Sequence, residues 1–203
     1  LERISSYTFA KSGRTAIVYA HRKLTVSGTD FYVLSRIVDA GADYTGRTNH
    51  LAHHLVCGSD EIAACKVSPA EVMLQFDWRD SYDEEPRYFD DSELVDLASF
   101  SARASLPGEN WKTVRGEAAD AALPLEEAQR SGVIFVTPAD DAGWGRESIL
   151  GLFSESLQLA AADARDPAAA WGYSFTSYLQ PADDLSDFKW VACEPEDSLL
   201  RKA

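Results

Sequence analysis

The sequence predicts an α+β domain, with an antiparallel or mixed sheet seeded by an N-terminal hairpin and several helices packed against it. Three observations carry this expectation. Residues 16–26 and 30–38 are rich in Ile, Val, Tyr and Phe and are separated by Ser27-Gly28-Thr29, the pattern of two strands joined by a tight turn. Ser68-Pro69-Ala70-Glu71 combines a capping hydroxyl, a proline at the first helical position and a Glu three residues after the cap, which starts a helix. Ile149, Leu150, Phe153, Leu157 and Ala160 fall at helical spacing within 146–163, the strongest helical pattern in the chain.

The remaining elements follow in order. After the hairpin, residues 39–46 are rich in Gly, Asp and Ala and read as turns. Thr48 or Asn49 is then expected to cap a short helix that runs to Val56 or Cys57 and stops at Gly58. The Ser68 helix is expected to continue through Leu74, and Ser92 to Phe100 to form another, with Leu94, Leu97 and Ala98 on one face. Pro107-Gly108 breaks the chain. Residues 117–130 have helical propensity interrupted at Pro124, Val133 to Val136 is a short apolar strand, and 138–145 is a loop. Ala170 to Leu179, ended by Pro181, and Phe188 to Cys193 read as the last strands.

Composition sets limits on function. The 203 residues are 45% hydrophobic and 26% charged, the balance of a soluble globular protein, and a chain of this length buries roughly 70% of its unfolded surface. One compact unit over residues 1–203 is expected, opening at Leu1 as a piece of a longer protein would. Nineteen Lys and Arg against 33 Asp and Glu give a net charge of -14, so nucleic acid and anionic membrane meet repulsion. No apolar run approaches the ~18 residues of a membrane span, and the first residues lack an export signal. Cys57, Cys65 and Cys193 form no CxxC pair, which points to reduced thiols and a cytoplasmic location.

The charge is unevenly placed. Residues 1–58 carry seven basic and four acidic side chains, a balance of +3, whereas Asp77 to Ser99 carries nine acids against Arg79 and Arg87. Trp78, Tyr82, Tyr88 and Phe89 are interleaved with those acids. Aromatics anchor such a stretch to the body or to a partner, so Trp78, Tyr82, Asp83, Glu84, Glu85 and Tyr88 are the expected partner-binding residues.

The densest polar cluster is Arg47 to Cys57, which holds three of the four histidines. In a helix, His50, His54 and Cys57 would share a face at i, i+4 and i+7, and zinc accepts such ligands. The spacing is not a standard zinc motif, however, and no fourth ligand is evident. A Cys57–histidine nucleophile pair is a further alternative. Arg47 and Asn49, at the expected helix start, suit an anion. With His53 they form the expected ligand-binding set, and Glu155, set among core-like residues, is expected to be a partly buried carboxylate partnered by Arg47 or a histidine. The acid pairs Asp140-Asp141 and Asp183-Asp184 read as solvated loops. No phosphate-binding glycine motif is present, since Gly143-Trp144-Gly145 lacks the third glycine, and no cofactor is expected.

Asp43-Tyr44-Thr45-Gly46-Arg47, followed by Asn49 and Ala52-His53-His54-Leu55-Val56, resembles the signature of the amino-terminal domain of bacterial GTPase-associated proteins of conflict (defence) systems. Tyr7-Thr8-Phe9 looks like that domain's start. Trp111, Leu150-Gly151-Leu152-Phe153, Phe175-Thr176-Ser177-Tyr178-Leu179-Gln180 and Asp187-Phe188-Lys189-Trp190 look like blocks of larger bacterial proteins with the same opening. The stretch from Tyr7 to Ile17 is shorter than the family pattern. The motif positions here are Gly46, Arg47, Asn49, Ala52, His53, Leu55 and Val56; His50 lies outside them, which weakens the zinc alternative. The resemblance implies a bacterial component acting beside a GTPase-like or effector partner, and no catalytic residue comes with it. The sequence therefore favours a non-enzymatic interaction or scaffold domain. The alternative is an enzyme or small-ligand sensor built on Arg47, Asn49, His53 and Glu155, with Cys57 as a further candidate.

Overall fold

The computed structural model describes residues 17–42, 44–81, 85, 87–102, 109–116, 118–128, 132–136, 146–178 and 188–193. Strands β1 (Ile17–Val26) and β2 (Thr29–Ala42) form the expected hairpin. Its turn is Ser27-Gly28, with φ of 52° and 82°; two successive positive φ values match the right-handed twist of the strands, and Gly28 meets the second without steric penalty.

The next element corrects the sequence reading. Thr48–Gly58 is strand β3, paired antiparallel with β2, where a helix from Thr48 or Asn49 to Cys57 was expected. The physical reason is a period of two: Leu51, His53, Leu55 and Cys57 lie opposite Val38, Arg36, Leu34 and Tyr32. Leu55 and Cys57 thereby join the core beside Leu34. Gly58 begins a helix instead of ending one. Its N–H donates to Glu61 Oε2 at 2.7 Å, at the start of α1 (Ser59–Ala64).

Helix α2 (Pro69–Gln75) starts as the sequence predicts, with Ser68 Oγ accepting from the Glu71 N–H. The helix expected over 92–100 is instead two 3₁₀ turns, Asp91–Glu93 and Leu97–Ser99, each preceded by an aspartate at the cap position. Helix α3 is Glu109–Arg115; a 3₁₀ turn over Ala118–Ala122 leads into α4 (Leu123–Ala128), with Pro124 in its first turn. Strand β4 is Val133–Val136, as expected. Helix α5 runs Arg146–Ala164. The strand expected from Ala170 shrinks to β5 (Phe175–Thr176), because Asp166 caps a 3₁₀ turn over Pro167–Gly172. β6 is Trp190–Cys193.

The strands form one mixed sheet in the order β3-β2-β1-β5-β6-β4. β1, β2 and β3 are antiparallel, β5 is antiparallel to β1, and β5, β6 and β4 are mutually parallel. One face, with Tyr19, Leu34, Phe175 and Trp190, buries Ile149, Leu150, Phe153 and Leu157 of α5 and Val72 and Met73 of α2. Burying such side chains supplies most of the driving force for folding, at about 25 cal/mol per Å². Each buried indole in this layer is also satisfied: Trp171 Nε1 donates to Val67 O and Trp190 Nε1 to Pro124 O. On the other face Val18 and Ile37 pack with Tyr178, and Ala20 with Phe188, Val191 and Cys193.

Candidate functional site

Period two separates the residues that a helix would have gathered. His53 and Cys57 point to the core face of β3, and His50 and His54 to the opposite face. The proposed zinc set His50, His54 and Cys57 therefore straddles the sheet, whereas His53 and Cys57, the alternative nucleophile pair, share a face but lie four residues apart along an extended strand, roughly 13 Å. Among the described residues no three His, Cys, Asp or Glu side chains approach closely enough to hold a metal ion. Cys57 is buried, and burial pushes its thiol up to about 12, with Glu61 and Cys65 adding to the shift. It is a packed thiol rather than a thiolate.

His53 is the hub of one corner. Its ring packs edge-on against Trp78 (5.3 Å between centroids) and Phe76 (5.4 Å), and its Nδ1 accepts the Arg79 N–H at 3.2 Å. Its cross-strand neighbour Arg36 donates to Asp80 Oδ1 at 2.6 Å and to the Arg79 carbonyl at 3.2 Å. Burial, followed by the charges of Arg79 and Arg36, lowers the His53 pKa. Neutral His53 with Nδ1 as acceptor thus ties the sheet to the start of the acidic segment. The sequence reading placed His53 with a ligand and Trp78 with a partner; the structure places the two rings in contact.

Arg47 and Asn49 are exposed at the beginning of β3. Glu155 is buried, but neither Arg47 nor a histidine serves it, contrary to expectation. Its Oε1 accepts from the Asn110 N–H and from Asn110 Nδ2, both at 2.9 Å, and its Oε2 accepts from the Trp111 N–H at 3.2 Å. The carboxylate caps the first turn of α3, a structural duty. The Arg47–Asn49–His53–Glu155 pocket of the alternative reading thus loses its two organising groups to other partners.

Two buried polar arrangements lay outside the sequence reading. Ser35 and His54 are cross-strand partners, with Oγ and Nδ1 2.9 Å apart. Burial, then the charges of Arg22 and His53, lowers the His54 pKa to about 4. A neutral imidazole on a hydroxyl is the chemistry of nucleophilic catalysis, yet Ser35 is 1% exposed, and in this arrangement no substrate reaches its Oγ. His21 is fully buried, donates from Nε2 to the Trp171 carbonyl at 3.1 Å and stands among Tyr32, Trp171 and Phe175. No local motif marked either one. Only the alternation along β1 and β2 could have put His21 and Ser35 inside.

The acidic segment is anchored at both ends, and residues 87–94 between the anchors are exposed. Trp78 Nε1 donates to the Met73 carbonyl at 2.8 Å, and Leu97 is buried. Tyr88 is 99% exposed, Leu94 65% and Phe89 53%. Arg87 donates both terminal nitrogens to Glu93 at 2.8 and 2.7 Å and lies over the Phe89 ring. That pairing, with the Asp90 N–H, lowers the Glu93 pKa to about 2. Glu85 is exposed. Tyr82, Asp83 and Glu84 lie outside the described residues, as do the pairs Asp140-Asp141 and Asp183-Asp184, the 143–145 glycines and Pro107-Gly108.

Two concavities are formed by described residues. A cleft of about 340 Å³ lies between the start of α2 and the end of α5, lined by Val67, Ser68, Leu157, Gln158 and Arg165. A groove of about 370 Å³ is lined by Asp60, Glu61, Val95, Asp96 and Leu97. Neither contains Arg47, Asn49, His53 or Glu155.

Residues 6–96 match the model of a family described as GTPase-associated protein 1, N-terminal domain type 2. No curated protein and no solved structure matches the chain. The matched segment includes the hairpin, β3, α1, α2 and most of the acidic stretch. Its sheet continues through β5, β6 and β4, which lie outside the match. No described helix is long and apolar enough to cross a membrane.

Proposed function

We propose, from the premise that residues 6–96 are a GTPase-associated protein 1 N-terminal domain of type 2, that this chain is a non-enzymatic interaction domain. It binds a protein partner through the acidic, aromatic-bearing segment 77–99, acting as a scaffold in a bacterial multi-component conflict (defence) system beside a GTPase-like or effector protein in the cytoplasm. Residues 1–203 serve as a single unit in this role. The observation that supports the reading is the contrast within one segment: Trp78 and Leu97 hold it to the core, while Tyr88, Phe89 and Leu94 face solvent among carboxylates. Exposed aromatic and aliphatic side chains on an anchored scaffold are what a partner surface uses as hot spots. The surrounding acids select a basic partner and speed its approach.

The test uses the full-length protein in its native host, with a photo-crosslinker at the exposed position 92 and mass spectrometry of the adducts. One recurrent partner, lost on combined substitution Tyr88→Ala, Phe89→Ala and Leu94→Ala in a protein that still folds, is the expected result. Neutralising Asp83, Glu84 and Glu85 should slow association and flatten its salt dependence. Retention of the partner by the triple variant would exclude this surface.

A further inference from the structure

Among the described residues, β3 closes one edge of the sheet. Edge strands of natural proteins are generally kept short or are guarded by proline, lysine or bulges, because their outer N–H and C=O groups template further strands. The opposite edge, β4, is four residues long. β3 is 11 residues long and contains no Pro, Lys, Arg, Asp or Glu. The irregularity in its pairing lies between Asp39 and Ala42 of β2; from His50 to Gly58 the register is continuous.

The hairpin fixes which groups face outward. A two-residue turn closes on a pair that exchanges both hydrogen bonds, here Val26 and Thr29. Alternation from that pair directs Leu34 and Arg36 of β2 toward β3, so their partners Leu55 and His53 direct their main-chain groups back to β2. Ala52 and Val56, one residue out of phase, direct theirs to the open edge. Val56 is also 42% exposed.

Just beyond the C-terminal end of β3, Asp60 and Glu61 line, together with Val95, Asp96 and Leu97, the acidic groove described above. We infer that β3 is a strand-addition site. It takes an extended, β-forming segment of a protein partner, main chain to main chain at Ala52 and Val56, with a lysine or arginine of that segment in the Asp60–Glu61–Asp96 groove. Charge decides the occupant: the groove offers three carboxylates, whereas a second copy of this chain brings a net -14 and a β3 with no lysine or arginine. Main-chain bonds then give affinity, and the groove gives selectivity. The inference rests on the interaction reading but uses a surface apart from Tyr88, Phe89 and Leu94.

The probe is a synthetic ten-residue peptide of alternating valine and threonine flanked by lysines, titrated into the whole chain and followed by amide hydrogen exchange. At saturation, exchange at Ala52 and Val56 should slow at least tenfold. Glutamate flanks, or Asp60→Lys in the protein, should weaken binding at least fivefold. Val56→Pro removes an outward N–H without taking a bond from β2 and should abolish protection. Should that variant unfold, the peptide N-methylated at alternate residues carries the same test from the other side and should not bind. Absence of protection at millimolar peptide, equal binding of the N-methylated peptide, or self-association of the chain through β3 would each overturn the inference. Failure here with the partner still captured through Tyr88, Phe89 and Leu94 leaves the interaction reading standing; loss of that capture with peptide binding intact does the reverse.

Discussion

The Glu155 carboxylate on α5 receives the Trp111 N–H at 3.2 Å and the Asn110 N–H at 2.9 Å, so that a buried side chain caps α3 from 44 residues away. Hydrogen bonds to a charged acceptor contribute about 1.5–3 kcal/mol. Glu155→Ala leaves three donors of α3 unanswered, the two main-chain N–H groups and Asn110 Nδ2, and should lower stability by about 3 kcal/mol in urea denaturation. Glu155→Gln keeps one acceptor and should lose about half as much. Gly151 provides the clearance, since a Cβ there would lie 3.1 Å from the Asn110 side chain that bonds Glu155. An unchanged midpoint for Glu155→Ala would contradict the capping role.

His21 makes the fold sensitive to acid. Its pKa is lowered to about 4 by complete burial, from 6.5. Because the folded-state value lies below the unfolded one, the unfolded chain gains a proton first as pH falls. Stability is thus full above about pH 6.5 and declines toward pH 4, where the folded state titrates as well. Between pH 7 and pH 5 this amounts to about 2 kcal/mol, and His54, lowered in the same direction, adds to it. His21→Phe should flatten the stability profile between pH 5 and pH 7 by about that amount. An undiminished slope in the variant would assign the acid response elsewhere.

What was legible in the sequence was local. Ser27-Gly28 specifies a turn through its own backbone preference, Ser68-Pro69 starts a helix by its own hydroxyl and ring, and the apolar spacing of 146–163 holds whatever it packs against. β3 was not legible, because His50, His54 and Cys57 suit a helical face as well as Leu51, His53, Leu55 and Cys57 suit a strand, and only pairing with Leu34 and Arg36 decides between them. The partners of Glu155, Ser35 and His21 lie 19 to 150 residues away. A residue type can announce that it needs a partner, but nothing local says which one. The acidic, aromatic stretch was legible as a feature, while its division into the anchors Trp78 and Leu97 and the exposed Tyr88, Phe89 and Leu94 depended on tertiary packing.

Cys57, Cys65 and Cys193 are all buried. Cys57 is raised to about 12 and Cys65 is also raised, in both cases first by burial. A thiolate is the reactive form, so a disulfide reagent at pH 8 should react with none of the three at an appreciable rate until denaturant is added, and then with all of them. A metal chelator should leave the melting temperature unchanged, since β3 sends Cys57 and the pair His50 and His54 to opposite faces. Fast labelling of Cys57 in the native protein, or a chelator-induced drop in melting temperature, would argue for a different arrangement of this strand.

His53 links the sheet to the segment that carries the proposed docking surface, and this gives its substitution a signature that a ligand-binding residue would not have. Its contacts with Phe76 and Trp78 and its acceptance of the Arg79 N–H together contribute about 2 kcal/mol on ordinary magnitudes for aromatic pairs and neutral hydrogen bonds. His53→Ala should therefore lower stability by about that much and accelerate amide exchange at Arg79. His53→Phe should recover the ring packing but not the protection of the Arg79 N–H, because phenylalanine has no acceptor. If His53 served a small ligand instead, both variants would abolish binding alike and leave exchange at Arg79 untouched. The comparison of the two variants at one amide, combined with the melting temperature, distinguishes a structural tie from a recognition residue without knowledge of any ligand.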